Sequence, residues 1–192
     1  MPGTHDTRLL EHTLKSLAKA EPDTVTRLPC FDKSVDDVVP SERWLEFTGK
    51  PDLIVLEGWC VGVTAQAASE LAQPVNALEA QEDQDGQWRR YVNDALRSHY
   101  QRTFEQLDKI IMLQAPSFEQ VHLWRGLQEE KLRDKADTQA SGVMNAEQLV
   151  RFIQHYERLT RHCLQTLPQR ADTVFLLKED HSIESRRNRP PG

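Results

Sequence analysis

Apolar residues recur along most of the chain at helical spacing, and in a few places they fall in short unbroken runs. Behind Asp6, Leu10, Leu14, Leu17 and Ala18 step at three- and four-residue intervals as far as Pro22, which predicts one short amphipathic helix with a capping aspartate. Residues 25–52 break this order. Pro29, Pro40, Gly49 and Pro51 punctuate them, and Asp32-Lys33-Ser34-Val35-Asp36-Asp37 is nearly all polar, so a long functional loop with one short strand at Val25–Leu28 is expected. Leu53-Ile54-Val55-Leu56, bounded by Pro51 and Gly58, predicts a strand buried on both faces.

After the turn-forming Asp83-Gln84-Asp85-Gly86, the residues Trp88, Val92, Leu96, Tyr100, Phe104 and Leu107 mark one face of a long helix. Lys109-Ile110-Ile111-Met112-Leu113 predicts a second strand, and Ser117 with Gln120 has the spacing of a capping box for the helix that carries Val121, Trp124, Leu127 and Leu132. Beyond a polar gap at 134–143, Asn145 and Gln148 cap a third long helix striped by Leu149, Phe152, Ile153, Tyr156, Leu159 and Cys163. Thr173-Val174-Phe175-Leu176-Leu177 predicts a third strand. Strands alternating with helices in this way imply right-handed crossovers and an α/β fold on a parallel, two-faced sheet. One domain with one core is expected over residues 1–178, followed by a disordered tail over 179–192.

Charge narrows the function classes. Against 30 Asp+Glu stand 24 Lys+Arg, a formal charge of −6, so nothing electrostatic favours nucleic acid or an anionic membrane as partner. The basic cluster Arg186, Arg187 and Arg189 is terminal. No apolar run approaches the roughly 20 residues of a membrane helix, and the N-terminus lacks a basic-then-apolar signal, so a soluble cytoplasmic protein is expected. Cys30, Cys60 and Cys163 are widely spaced without C-x-x-C, and the histidines show no metal-ligand spacing, so neither a disulfide framework nor a zinc site is expected.

Ligands of parallel α/β sheets sit at the carboxyl ends of strands, which points to Glu57-Gly58-Trp59 and to Gln114-Ala115-Pro116. Glu57, directly after an apolar strand, stands where nucleotide-binding proteins place a carboxylate on Mg²⁺ or its waters; a solvated or capping glutamate accounts for it equally. Gly58-Trp59-Cys60-Val61-Gly62 also fits the G-x-nucleophile-x-G elbow of a hydrolase, with Asp172 and His181 following in the order acid, histidine. Few residues precede that elbow, and a buried inert cysteine is the alternative. Arg125, Lys131 and Arg133 could reach phosphates, although Glu129 and Glu130 among them also describe a solvated mixed-charge helix face.

Taken together, Pro2-Gly3-Thr4-His5-Asp6, Leu28-Pro29-Cys30-Phe31-Asp32-Lys33 with Asp36-Asp37, Leu56-Glu57-Gly58-Trp59-Cys60-Val61-Gly62, Pro74-Val75-Asn76-Ala77-Leu78-Glu79, Trp88-Arg89-Arg90-Tyr91-Val92-Asn93, and Ala115-Pro116-Ser117 through Trp124-Arg125 to Arg133 resemble the D-glycerate 3-kinase family. These are P-loop kinases related more distantly to uridine kinase, phosphoribulokinase and pantothenate kinase. The resemblance spans about residues 2–178 and implies a P-loop-kinase-like three-layer α/β fold, ATP and Mg²⁺ as cofactors, and transfer of the γ-phosphate to the 3-hydroxyl of D-glycerate. It implies that Glu57 holds Mg²⁺ or its waters, that Thr4, His5, Asp6, Asp32 and Lys33 line the acceptor side, and that Arg125, Lys131 and Arg133 belong to a lid over ATP. It leaves Cys60 without a nucleophilic role.

One departure stands out: the chain contains no G-x-x-x-x-G-K-[ST], the loop whose backbone N–H groups, lysine and hydroxyl cradle the phosphates. In the family this motif precedes the Pro-Gly-Thr-His-Asp segment, and a following strand supplies an acidic pair that includes the base. An N-terminally incomplete fold is therefore expected, with the strands at 53–57 and 109–114 left bare where the central strand belongs. The chain alone is expected neither to bind ATP tightly nor to phosphorylate glycerate, and to aggregate or depend on a missing N-terminal segment or partner fragment. A non-catalytic remnant or interaction protein is the alternative.

Overall fold

The computed structural model describes residues 1–32, 35, 37–135 and 144–190. The chain divides into two units, one of Thr4–Trp59 and one of Met1–Gly3 with Cys60–Gly192. The single core expected from length is thus replaced by two units, and both apolar clusters belong to the larger one.

In the smaller unit, helix α1 (Thr7–Ala18) begins as predicted: the Asp6 carboxylate accepts from Leu9 N at 2.9 Å, satisfying one of the amides that the first turn leaves open. The broken segment that follows folds into two small antiparallel ladders. Strand β1 (Val25–Leu28) pairs with β4 (Leu45–Thr48) in the register Val25 to Thr48, and β2 (Phe31–Asp32) pairs with β3 (Asp37–Val38). The prolines fall between these strands, where no ladder bond is needed.

The strand expected at 53–57 does not form. Residues 53–57 run without a strand partner, and Leu53 and Val55 are each 77% exposed. A strand exists only through bonds to a neighbour, so an apolar run encodes the wish for burial and not the partner that supplies it.

The larger unit carries the sheet. After α2 (Ala77–Glu82), helix α3 (Gln87–Ala95) leads through a π-helical turn, Leu96–Tyr100, into α4 (Gln101–Phe104), and these three together are the long helix predicted from periodicity. Strand β5 (Ile111–Gln114) is followed by α5 (Phe118–Lys135) and α6 (Ala146–Thr166), then β6 (Thr173–Leu177) and β7 (Ile183–Asn188). The Asn145–Gln148 capping box of α6 is closed in both directions at 2.9 Å. β5 and β6 are parallel, Ile111 opposite Thr173, as a helical crossover requires. β7 adds antiparallel to β6, which makes the sheet mixed, in the order β5-β6-β7.

β7 corrects the disordered tail expected over 179–192. Every residue of 183–188 is exposed, so no apolar alternation announces the strand; it is held by its ladder to β6, by the Arg187 guanidinium on the Pro168 carbonyl at 2.7 Å, and by Arg186 over the Phe175 ring. Only one face of the β5–β6 pair is well packed. Met112 and Val174 are buried with Leu167 and Ala171, whereas Ile111 and Leu113 on the opposite face are each 65% exposed. Parallel strands are ordinarily covered on both faces, so this bare face is unusual.

Candidate functional site

The residues expected on the acceptor side belong to the smaller unit. Thr4, His5 and Asp6 enter α1 together, with the His5 carbonyl accepting from Thr7 N at 3.0 Å and Asp6 engaged as the cap. Asp32 ends β2, while Lys33 lies outside the described residues. Glu57 ends the extended segment with its side chain exposed. The segment preceding Thr4 is positioned within the larger unit. Gly3 adopts φ +94°, its N–H donates to the Tyr100 hydroxyl at 3.1 Å, and its carbonyl accepts from the Tyr91 hydroxyl at 3.0 Å. Only glycine fits, because a Cβ here would lie 2.6 Å from the Tyr91 ring.

In the larger unit, a crevice of about 420 Å³ opens at the carboxyl ends of β5 and β6, lined by Gln114, Pro116, Leu177, Lys178, Glu179 and Glu184. This is the place that the rule for parallel sheets assigns to a ligand. The turn that carries Lys178 and Glu179 is fixed by Lys178 N on the Ser182 carbonyl at 2.8 Å and by Asp180 on Ser182. It also reaches α5: the Trp124 indole N–H donates to the Glu179 carbonyl at 2.6 Å, and the His181 ring stacks on Trp124 at 4.3 Å. Along α5 a second groove of about 410 Å³ is lined by Trp124, Arg125, Leu127, Lys131 and His181.

The three cations expected in a lid, Arg125, Lys131 and Arg133, are not equivalent. Arg125 is committed to α6 and its own helix, with Glu129 at 2.5 Å, Gln128 at 2.9 Å and the Phe152 ring beneath its guanidinium. Glu129 is buried and also accepts from Met144 N. Arg133 reaches the Met144 carbonyl at 3.5 Å, and Lys131 lines the open groove with its side chain exposed.

The hydrolase constellation is not assembled. Cys60 packs in the core with Val63 and Leu96, and burial pushes its thiol pKa up, away from the thiolate that a nucleophile needs. Asp172 is held by Ile110 N at 2.9 Å and Lys109 at 3.0 Å, bonds that keep its carboxyl below the ordinary range, while His181 stacks on Trp124.

Sequence reasoning gave no roles to the polar residues of segments 74–79 and 88–93, and the structure uses several of them as framework. Asn76 caps α2 through Glu79 N and ties it to α6 through the Gln154 carbonyl. Glu79 pairs with Arg158 at 2.6 Å, Asp83 with Arg89 at 3.1 Å, and Asn93 bonds the main chain of Gln66 in both directions. Arg158, Gln154 and Gln66 are distant in sequence from the residues they partner, and the signal that could have found such pairs was the density of charged residues inside otherwise apolar helix faces.

For Mg²⁺ the exposed Glu57 carboxylate is a suitable hard oxygen donor, and among the described residues there is no cluster of three or more His, Cys, Asp or Glu. For ATP the fit is partial: the crevice and Lys131 are there, the glycine-rich cradle is not. Among the described residues no helix is long and apolar enough to cross a membrane.

No protein-family model matches the chain. It is 28% identical over 197 residues to the chloroplastic D-glycerate 3-kinase of Arabidopsis thaliana, covering 97% of this chain and 39% of that protein. To the uncharacterized kinase mug58 of Schizosaccharomyces pombe it is 26% identical over 161 residues, 81% of this chain and 55% of that protein. The chain thus spans about half or less of the length of these curated relatives. Among solved structures, the D-glycerate 3-kinase from Cryptococcus neoformans superposes with a TM-score of 0.75 at 23% identity, covering 97% of this chain and 68% of that one. The YGR205w protein superposes with a TM-score of 0.71 at 22% identity, covering 98% and 66%. The chain is similar in sequence to a D-glycerate 3-kinase over nearly its whole length and shares the mixed α/β fold of the solved D-glycerate 3-kinase structure.

Proposed function

We propose that this chain is the acceptor- and lid-bearing part of an ATP-dependent kinase that transfers the γ-phosphoryl group of ATP to the 3-hydroxyl of D-glycerate. The observation that carries the reading is the relationship to a D-glycerate 3-kinase across nearly the whole chain. In such chemistry the protein chiefly positions the reactants and neutralises charge. Mg²⁺, when bound, would supply neutralisation of the charge on the phosphates. Glu57 orders the ion or its waters, Thr4, His5, Asp6 and Asp32 line the acceptor, and Lys33 supplies the counter-charge for the glycerate carboxylate. Lys131 is the lid cation best free to meet phosphate, since Arg125 is spent on Glu129.

The crevice brings Lys178 against Glu179 and Glu184, a balance that does not favour a triphosphate. Without the glycine-rich loop, the chain by itself lacks the donors that hold the β- and γ-phosphates. We therefore expect turnover only when another polypeptide segment supplies that loop. The exposed apolar residues at 53–55 and at Ile111 and Leu113 favour a strand-bearing partner of this kind.

The test is formation of 3-phosphoglycerate from Mg·ATP and D-glycerate by the purified chain, with and without an equimolar phosphate-loop fragment of a D-glycerate 3-kinase. Product in the mixture alone is the expected result. Product from the chain by itself refutes the need for a second segment. No product in either arm refutes the kinase reading and favours a non-catalytic remnant.

A further inference from the structure

In the smaller unit one strand has an unused edge. β1 pairs only with β4, and Gly49 N, bonded to the Thr24 carbonyl at 2.8 Å, sets the phase of their ladder. Bonded and non-bonded pairs alternate in an antiparallel ladder, so Thr26 and Leu28 bond β4, while Val25 and Arg27 turn their N–H and C=O groups to the other edge. Nothing among the described residues bonds those groups, and Val25 is 54% exposed.

Beside this edge, between β1 and α1, lies a groove of about 670 Å³. Thr24, Val25, Thr26 and Arg27 all line it, and no residue of β4 does. Side chains of consecutive strand residues point to opposite faces, so what these four share is the main-chain edge. The opposite wall is a face of α1 that carries His12, Lys15, Ser16 and, at its end, Lys19. The titratable groups of the lining are His12, Lys15, Lys19 and Arg27, without a carboxylate, in a chain of net charge −6. Two carboxylates stand close by, Glu11 on Lys15 and Glu46 on Arg27, each at 3.3 Å. The Lys15 and Arg27 side chains are exposed, and exposed pairs of this kind contribute little and exchange readily. Lys19 has no ion-pair partner among the described residues.

We propose that this groove takes an extended acidic segment of a partner protein, added as a strand to the free edge of β1. The main-chain groups of Val25 and Arg27 bond the segment, and every second side chain of it faces α1, where Asp or Glu meets Lys15 and Lys19. From His12 to Lys19 the helix rises about 10 Å, which a strand of about four residues spans. That matches the four residues of β1. An open strand edge is a template for pairing with any chain, and the basic helix face is what selects an acidic one.

The probe is a capped heptapeptide of alternating glutamate and valine, and the same peptide with lysine for glutamate is the control for charge. Two further peptides carry N-methyl groups on alternate residues, one on the glutamates and one on the valines, because only one of these sets can turn its N–H groups toward β1. Titrated into the full chain, the acidic peptide is expected to bind saturably in the millimolar range or tighter and to slow hydrogen exchange at the Val25 and Arg27 amides. The lysine peptide should bind at least tenfold more weakly, and at least one methylated peptide should lose binding. Lys19→Glu should weaken binding at least tenfold. Val25→Pro removes an outward donor and no ladder bond, at the first position of an edge strand where proline is tolerated, and should weaken it several-fold. No saturable response, equal affinity for the lysine peptide, undiminished binding of both methylated peptides, or unchanged exchange at Val25 and Arg27 each overturn the proposal. Undiminished binding of both methylated peptides would mean that charge alone attracts the segment, as it would any polyanion. No residue of this groove has a role in the kinase reading, so failure here leaves that reading standing.

Discussion

Replacing Arg158 by methionine tests the framework directly. The guanidinium donates to both oxygens of Glu79, at 2.7 and 2.6 Å, and to the carbonyls of Glu70 and Gln73 at 2.9 and 2.6 Å. The two side chains of the ion pair are only 8% and 11% exposed. Removing the cation leaves Glu79 with the Val75 N–H at 3.0 Å as its remaining donor besides its own helix, and strands two carbonyls. Breaking a buried pair from one side costs about 3–5 kcal/mol, because an uncompensated charge stays behind. That is a third or more of a stability near 10 kcal/mol, and with a urea slope of about 2–3 kcal/mol/M it lowers the unfolding midpoint by about 1–2 M. The double variant Arg158→Met/Glu79→Leu should recover much of the loss, since replacing both partners with apolar groups is often nearly neutral. Urea unfolding followed by far-UV circular dichroism reads both. A single variant costing under about 1 kcal/mol, or a double variant as unstable as the sum of the singles, refutes the account.

Gly3→Ala should cost about 2 kcal/mol or more, combining the left-handed backbone with the contact on Tyr91, and Tyr91→Ala should relieve part of it; an unfolding midpoint unchanged from wild type would contradict this. Glu119, hydrogen-bonded to Arg161, has its pKa lowered from 4.5 to about 2. Because the folded value lies below the unfolded one, its contribution to stability is complete above about pH 4.5 and is lost as pH falls toward 2. An NMR titration of the Glu119 carboxyl should show this, with Arg161→Leu returning it toward the ordinary range; a wild-type midpoint near 4.5 sinks the assignment.

Sequence reasoning proposed the site residues from two sources. Glu57, Thr4, His5 and Asp6 were singled out by resemblance, and Gln114–Pro116 by its place after a strand, which is where the crevice lies. The commitment of Arg125 to Glu129 and Phe152, and the use of Arg89, Asn93 and Arg158 as framework, were not legible. Those roles depend on which face of one helix meets which face of another.

What the sequence determined by itself is local. Asp6 before α1, the Asn145–Gln148 box before α6, and the apolar stripes of α3 and α6 specify helices because caps and 3.6-residue periodicity are satisfied within a few residues of chain. The apolar runs of β5 and β6 likewise announced strands. Tertiary structure alone decided the rest. A strand is made by its neighbour, so charged and exposed 183–188 became one against β6, while apolar 53–57 stayed bare. Buried charge is tolerated only where a partner arrives, and the partner of Glu79 stands 79 residues away. Such partners are set by the packing of whole elements, which local pattern does not encode.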